Sequence, residues 1–453
     1  MTTAPARQLP LWRTFFVFLL PLMLSNILQS LSGTLNGMFL GQLIGVEAMA
    51  TASAFFPVMF FFMAFVIGLS MGATILIGQA FGARDIELVR NIAGPVLLAV
   101  LLGGVIVGGL GALFAEQLMR LLNTPENILA PATDYARVLL LSMPLMFVFI
   151  LMTSVIRGIG DTMTPLWALS LSTIVGLILT PAFIDGWFGL PRLGATSAAV
   201  ASVVSMLAGL VWLGVHMRQR NMPFAPNADL FRRMRFDMAM LARVMRLGLP
   251  TGFQMVIFAV AEIVLLGLAN RFGSDVTAAY GATAQVLSYV QLPAMSIGIS
   301  ASILAAQAIG AGRTSSLDSI MRTGQLLNIV ITGLGVIVVY LLSRTIISLF
   351  ITDHDVIDLT DHLISIVLWS VILFGGSVVF SGTMRGSGSV LAPTFLAIIA
   401  IVAVEVPVAT WLSGEIGVDG IWWGYPAAFA AMLVLQGGYY YLVWHRKRIR
   451  ALV

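Results

Sequence analysis

Two acids in this chain stand where an acid is costly. Glu262 and Glu405 each lie inside a long apolar stretch, while the rest of the 20 acidic residues fall between such stretches. At the centre of a bilayer an acid costs roughly 2.5–3.5 kcal/mol on insertion scales, so it marks a function by default. The chemistry open to it there is the uptake and release of a cation. Glu262 follows Gly248, near the start of its stretch, by 14 residues, and Glu405 follows Leu391 by 14. At about 1.5 Å per residue both carboxyls lie about 21 Å along their helices, so they share a depth and could share a site. The alternative is a structural acid bonded to a neighbour, because structural networks also bury acids.

Neighbouring residue types bear on the cation. On a helix, Glu262 is flanked by Met255, Phe258, Ala259, Leu265, Leu266 and Ala269, and Glu405 by Ile401, Val402, Val408 and Ala409. Apolar walls disfavour a charged carboxylate and bring no oxygen ligands to a metal ion, so a proton is favoured over sodium. Polar partners are available from Tyr280, Thr283, Gln285, Ser288 and Tyr289, or from Ser370 and Ser377. A weaker cluster, His354, Asp358, Asp361 and His362, falls on one helical face. It could hold a divalent metal; more simply, its acids favour the positive N-terminus of a helix. No metal site is expected.

Composition says what must carry these residues. Of the 453 residues 59% are hydrophobic and only 10% charged, against roughly 25% charged in a soluble domain. A soluble protein of this size could not cover its surface so sparsely, so the chain is read as an integral membrane protein. It has no cysteine, hence no disulfide or thiolate chemistry. Its one lysine, Lys447, lies in Arg446-Lys447-Arg448, so no P-loop exists. No enzyme and no cofactor are expected, and the sparse net charge of +4 is no nucleic-acid footprint.

A membrane helix needs roughly 20 apolar residues. Twelve stretches qualify, starting near Trp12, Thr51, Asn91, Tyr135, Pro165, Gly194, Gly248, Gly281, Ile320, Thr360, Leu391 and Val418. With both termini inside, 19 basic residues fall on the cytoplasmic side and 5 (Arg120, Arg137, Arg192, Arg271 and Arg344) outside. The positive-inside rule favours that orientation. Prolines within or near the starts of spans, such as Pro21, Pro250 and Pro407, could hinge or simply kink them.

The chain also repeats itself. Gly78-Gln79-Ala80-Phe81-Gly82-Ala83 recurs 228 residues on as Ala306-Gln307-Ala308-Ile309-Gly310-Ala311, and Arg157-Gly158-Ile159-Gly160 recurs at the same shift as Arg385-Gly386-Ser387-Gly388. Each half therefore holds six helices in one orientation, related by an axis along the membrane normal. Residues 1–217 form an N-lobe and 247–453 a C-lobe, joined by 218–246. In that connection Leu230, Met234, Met238, Leu241 and Met245 recur at helical spacing among five arginines. It reads as an amphipathic segment on the anionic inner leaflet, or as a solvated basic linker. Gly158 and Gly160 suit a tight turn, Asp161 or Thr162 a cap, and Arg157 the cytoplasmic headgroups.

These motifs, with Thr180-Pro181-Ala182-Phe183-Ile184 and Gly194-Ala195, resemble those of the MATE family, the multidrug and toxic compound extrusion transporters. The resemblance covers nearly the whole chain. It implies an all-α polytopic membrane protein, two six-helix lobes with pseudo-twofold symmetry around a central cleft. It also implies export of amphipathic, often cationic compounds driven by H⁺ or Na⁺. Many members carry an acid in the first helix and another in the fifth; the matching positions here are Asn36 and Thr180, neither ionisable. The acid pair then stands instead on the seventh and eleventh helices, the repeat partners of the first and fifth.

Within the cleft the candidate substrate contacts are Asn26, Gln29, Asn36, Gln254, Gln285 and Tyr289, with interhelical hydrogen bonding as their alternative role. The 24 Met and 27 Phe could furnish an adaptable cavity, or simply face lipid. The expected function is efflux of amphipathic, cationic drugs or toxic compounds by antiport with protons, through Glu262 and Glu405. The expected partners are small organic substrates and membrane lipids, with the protein acting as a monomer in a bacterial inner membrane. A flippase for a lipid-linked precursor is the alternative; it would line its cleft with Arg or Lys for phosphate, and the apolar stretches hold none.

Overall fold

The computed structural model describes residues 10–348 and 353–453; Arg7, counted on the inner side, lies outside them. Among the described residues eleven helices are long and apolar enough to cross a membrane. In the first half they are α1 (Leu11–Ile44), α2 (Glu47–Gly82), α3 (Ile86–Leu113), α5 (Met163–Asp185) and α6 (Gly194–Gln219). Between α3 and α5, α4 is a broken span, Glu126–Leu141 and Met143–Gly158, bent by 48°. Pro144 opens the second piece and has no N–H to give back to the first, which accounts for the bend. The second half holds α7 (Met238–Phe272), α8 (Ser274–Gly310), α9 (Thr314–Ile347), α10 (His354–Gly386), α11 (Leu391–Ile416) and α12 (Val418–Trp444).

Several helices start earlier than their apolar stretches. α7 begins at Met238 rather than Gly248, because Asp237 caps it, accepting from the Met240 N–H at 2.9 Å. α10 begins at His354, where Asp353 accepts from the Asp355 N–H at 2.9 Å. Polar first turns of this kind read as loop when only hydropathy is measured.

In the connection, where an amphipathic segment or a solvated basic linker is expected, the helical residues come in two pieces. A short helix, Ala228–Arg233, ends at Met234, and the chain re-enters a helix at Met238. Leu230 is buried while Met238 and Met245 are exposed. Ion pairs tie this short helix to α3: Arg233 meets Glu87 at 3.1 Å and Asp229 at 3.2 Å, and Arg90 meets Asp229 at 3.4 Å. Glu87 first, then Asp229, holds the Arg233 guanidinium above its ordinary pKa.

By contact the chain divides into two compact units. One is Leu24–Gly252; the other joins Phe253–Val453 to the described residues up to Met23. The boundaries thus fall inside α1 and α7. Within the first unit α2 and α3 pack on α4, and α5 on α6; within the second α8 and α9 pack on α10, and α11 on α12. The same pairs recur in both, as a repeat requires.

The Arg-Gly motifs sit at close approaches within these pairs. A Cβ at Gly158 would lie 3.1 Å from the Thr74 carbonyl oxygen, and one at Gly386 would lie 2.5 Å from that of Ser302. Gly160 and Gly388 then turn the chain at φ +97 and +86, a region that favours glycine. Asp161 caps α5, accepting from the Thr164 N–H at 2.9 Å. Arg157 and Arg385 are half-buried, and the Nε of each is buried without a hydrogen-bond partner among the described residues. The close approach at the following glycine draws each arginine in beside the neighbouring helix.

Candidate functional site

Glu262 projects from α7 to meet two phenols. Tyr280, on α8, donates to its Oε2 at 2.7 Å. Tyr425, on α12, donates to the same carboxylate, 3.0 Å from Oε1 and 2.9 Å from Oε2. The two tyrosine oxygens are themselves 3.0 Å apart, so carboxylate and phenols close a triangle. Trp422, fully buried one turn before Tyr425, packs on both rings at centroid distances of 5.0 and 5.5 Å. Trp422 thereby fixes the phenols that address Glu262.

Glu405 is 1% exposed, and its Oε2 has no hydrogen-bond partner among the described residues. It ends a π-helical turn, Ile401–Glu405, within α11. Pro407 follows two residues later; it gives no N–H, and its ring crowds the carbonyl four residues back, which favours a widened turn. Gly424, on α12, lets Glu405 be covered: a Cβ there would lie 3.0 Å from the Glu405 carbonyl oxygen and 2.9 Å from the Ala409 Cβ. Gly424 directly precedes Tyr425 on α12, so the residue that covers Glu405 adjoins one that addresses Glu262. One carboxyl is thus served by two hydroxyls, and a second, buried one lies close by.

Of the other donors anticipated beside these acids, Thr283 is fully buried with its hydroxyl unpartnered among the described residues. Ser288 bonds the Gln285 carbonyl, Ser370 that of Val367, and Ser377 that of Phe374. Each is satisfied within its own helix. Tyr425 went unanticipated; its signal is a phenol deep in an apolar span, whose O–H must find a partner.

The expected cleft residues divide between the units. Asn26, Gln29 and Asn36 belong to Leu24–Gly252; Gln254, Gln285 and Tyr289 belong to the other unit, with Glu262 and Glu405. Gln254 accepts a 2.6 Å bond from Arg385. Thr180 donates to Asn36 at 3.0 Å, so these two positions form a neutral pair. The acids do not occupy the equivalent places in the second half. The register that joins Gln79 to Gln307 sets Thr34, not Asn36, opposite Glu262, and Leu177, not Thr180, opposite Glu405. Asn36 and Thr34 are two residues apart, about 200° around a helix and a different face, whereas Thr180 and Leu177 are three apart, about 300°, and share a face.

His354, Asp358, Asp361 and His362 do not converge. Arg344 pairs with Asp358 at 3.0 Å and Asp361 at 3.6 Å, and His362 meets Asp419 at 2.9 Å. No group of three metal-ligating side chains stands together among the described residues.

A family model, MatE, matches residues 21–182 and again 250–411, once in each half. The chain is 42% identical over 444 residues to the probable multidrug resistance protein YoeA of Bacillus subtilis, covering 98% of this chain and 96% of that one. It is 23% identical over 431 residues to the multidrug export protein MepA of Staphylococcus aureus, 94% of each. Its fold matches the crystal structure of a variant of the Vibrio cholerae MATE transporter VcmN, with a TM-score of 0.90 at 18% identity over 97% of this chain and 98% of that one. With the family matched on both halves, and a relative this similar end to end, the chain belongs to the MATE family, whose members are transporters rather than enzymes.

Proposed function

We propose that this protein exports amphipathic, cationic drugs or toxic compounds in exchange for protons, with Glu262 as the coupling group and Glu405 as its electrostatic partner. The observation that carries the reading is the triangle of Glu262, Tyr280 and Tyr425. Hydroxyls aimed at a carboxylate, with apolar walls beyond them, suit a group that gains and loses a proton. Sodium would ask for several oxygen ligands. The names of YoeA and MepA, a multidrug resistance and a multidrug export protein, favour drugs as the cargo. Asn26, Gln29, Asn36, Gln254, Gln285 and Tyr289 would contact that cargo. The protein would act as a monomer in a bacterial inner membrane with both termini inside.

Everted membrane vesicles test this, with a pH gradient and a sodium gradient imposed separately. Drug uptake should follow the pH gradient alone and vanish in Glu262→Gln, which mimics the protonated acid. Uptake driven by sodium alone would replace the proton, and wild-type transport by Glu262→Gln would remove the residue from the mechanism.

A second reading, flipping of a lipid-linked precursor, gains from one observation. α10 runs through Arg385, so that span does carry a cation, and it bonds Gln254. Dependence of export on Arg385 for phosphorylated lipids, with drugs unaffected, would favour it.

A further inference from the structure

The end of the chain builds a second polar site, about 28 Å along α12 from the tyrosines at 1.5 Å per residue. Beyond Trp444 the chain turns back on itself, the Lys447 N–H donating to the Trp444 carbonyl at 3.0 Å. Ile449 packs against the buried cluster that contains Phe380, Tyr440 and Trp444. Leu452 lies over Gly388, where the missing Cβ leaves it room. The tail is therefore pinned, and it walls a cavity of about 530 Å³ with the start of α9. The polar lining is Thr314, Ser315, Asp318, His445, Lys447, Arg448 and Arg450.

Charge in this cavity is unbalanced. Its one carboxylate, Asp318, is engaged: Tyr440 donates to it at 2.9 Å, and His445 stands 3.4 Å away. Among the described residues no carboxylate lies within ion-pair distance of Lys447, Arg448 or Arg450. Lys447 gives one bond to the Tyr439 hydroxyl at 3.0 Å and keeps two donors. Three cations and two hydroxyls around a walled space suit three phosphate oxygens. The cavity lies between the end of α12 and the start of α9, and a basic segment flanking a membrane helix attracts anionic phospholipid headgroups.

We propose that this cavity binds a phosphate ester, supplied by the headgroup of an anionic phospholipid. The test uses the full chain in neutral detergent at low salt, with phosphatidylglycerol and phosphatidylcholine retention read by native mass spectrometry. Wild type should retain phosphatidylglycerol in preference. Each basic side chain near an anionic surface is worth about fivefold, so Lys447→Gln/Arg448→Gln/Arg450→Gln should weaken retention about a hundredfold. Arg448→Lys/Arg450→Lys should keep it, and serves as the control that the fold is intact. Leu452→Ala, which unpins the tail but keeps every charge, should also weaken it. Displacement of the lipid by millimolar glycerol 3-phosphate would support the phosphate site and make its source soluble. Equal retention by wild type and the triple glutamine variant would overturn the proposal. So would unchanged retention in Leu452→Ala, since surface charge alone would then explain the binding.

Discussion

Two phenols on one carboxylate make the tyrosines as testable as the acid. A hydrogen bond to a charged group is worth about 1.5–3 kcal/mol, so Tyr280→Phe and Tyr425→Phe should each slow proton-driven uptake by about 10–100-fold. The double variant should lose less than the sum, because both phenols act through Glu262. In a Glu262→Gln background neither change should matter further. Additive losses in vesicle uptake would mean that the tyrosines act elsewhere. The two acids were legible in the sequence because an acid in hydrocarbon is costly whatever surrounds it. Tyr425 was not, since a phenol is tolerated in a span and only the fold reveals what it faces. Its repeat counterpart in the first half is Ser197, so the internal symmetry offered no hint either.

Helices, rather than loops, deliver these groups, and their close contacts set the tolerance. Gly424→Ala would press a methyl against the Glu405 carbonyl and Ala409. Overpacking of that kind typically costs about 1–3 kcal/mol, so the detergent-solubilised protein should melt earlier and coupling should weaken. An unchanged melting curve together with wild-type uptake would show that α11 and α12 have slack there. The twelve spans were legible because apolar length is a strong signal. Their true starts were not, because Asp237 and Asp353 cap polar first turns that hydropathy cannot see. In the connection Leu230 to Met245 has helical spacing, yet the helix is interrupted between Arg233 and Met238, a break that periodicity alone does not reveal. Gly68 and Gly72 on α2, which meet Gly248 and Gly252 on α7 backbone to backbone, carry the spacing of a tight helix crossing. That pattern was in the sequence, on two spans that nothing there paired.

For the whole molecule, orientation and charge movement are the open quantities. The chain has no cysteine, so Asn227→Cys and Asp355→Cys can be labelled one at a time in intact cells. Only Asp355→Cys should react from outside; labelling of both from one side would overturn the twelve-span orientation. Stoichiometry follows from the acid pair. One proton exchanged for a monovalent cation moves no net charge, whereas two protons move one, worth about 2.3 kcal/mol at 100 mV, or about a fortyfold gradient. If Glu262 and Glu405 both exchange protons, cation flux in proteoliposomes should respond to a potassium–valinomycin potential at zero pH gradient. Glu405→Gln should lose that response while retaining part of the exchange driven by pH. Indifference of the wild type to voltage would instead make Glu405 a fixed neighbour that tunes Glu262.

The pinned tail has a practical consequence. Lys447, held over the Tyr439 ring at 5.5 Å, is the one side-chain amine in the whole sequence. A dye or cross-linker that reacts with amines therefore finds a single side chain, and that side chain lines the basic cavity. A fluorophore placed there would watch the cavity fill and empty in the otherwise native protein. Its reaction rate, with and without lipid, would gauge how far the tail lets reagents in.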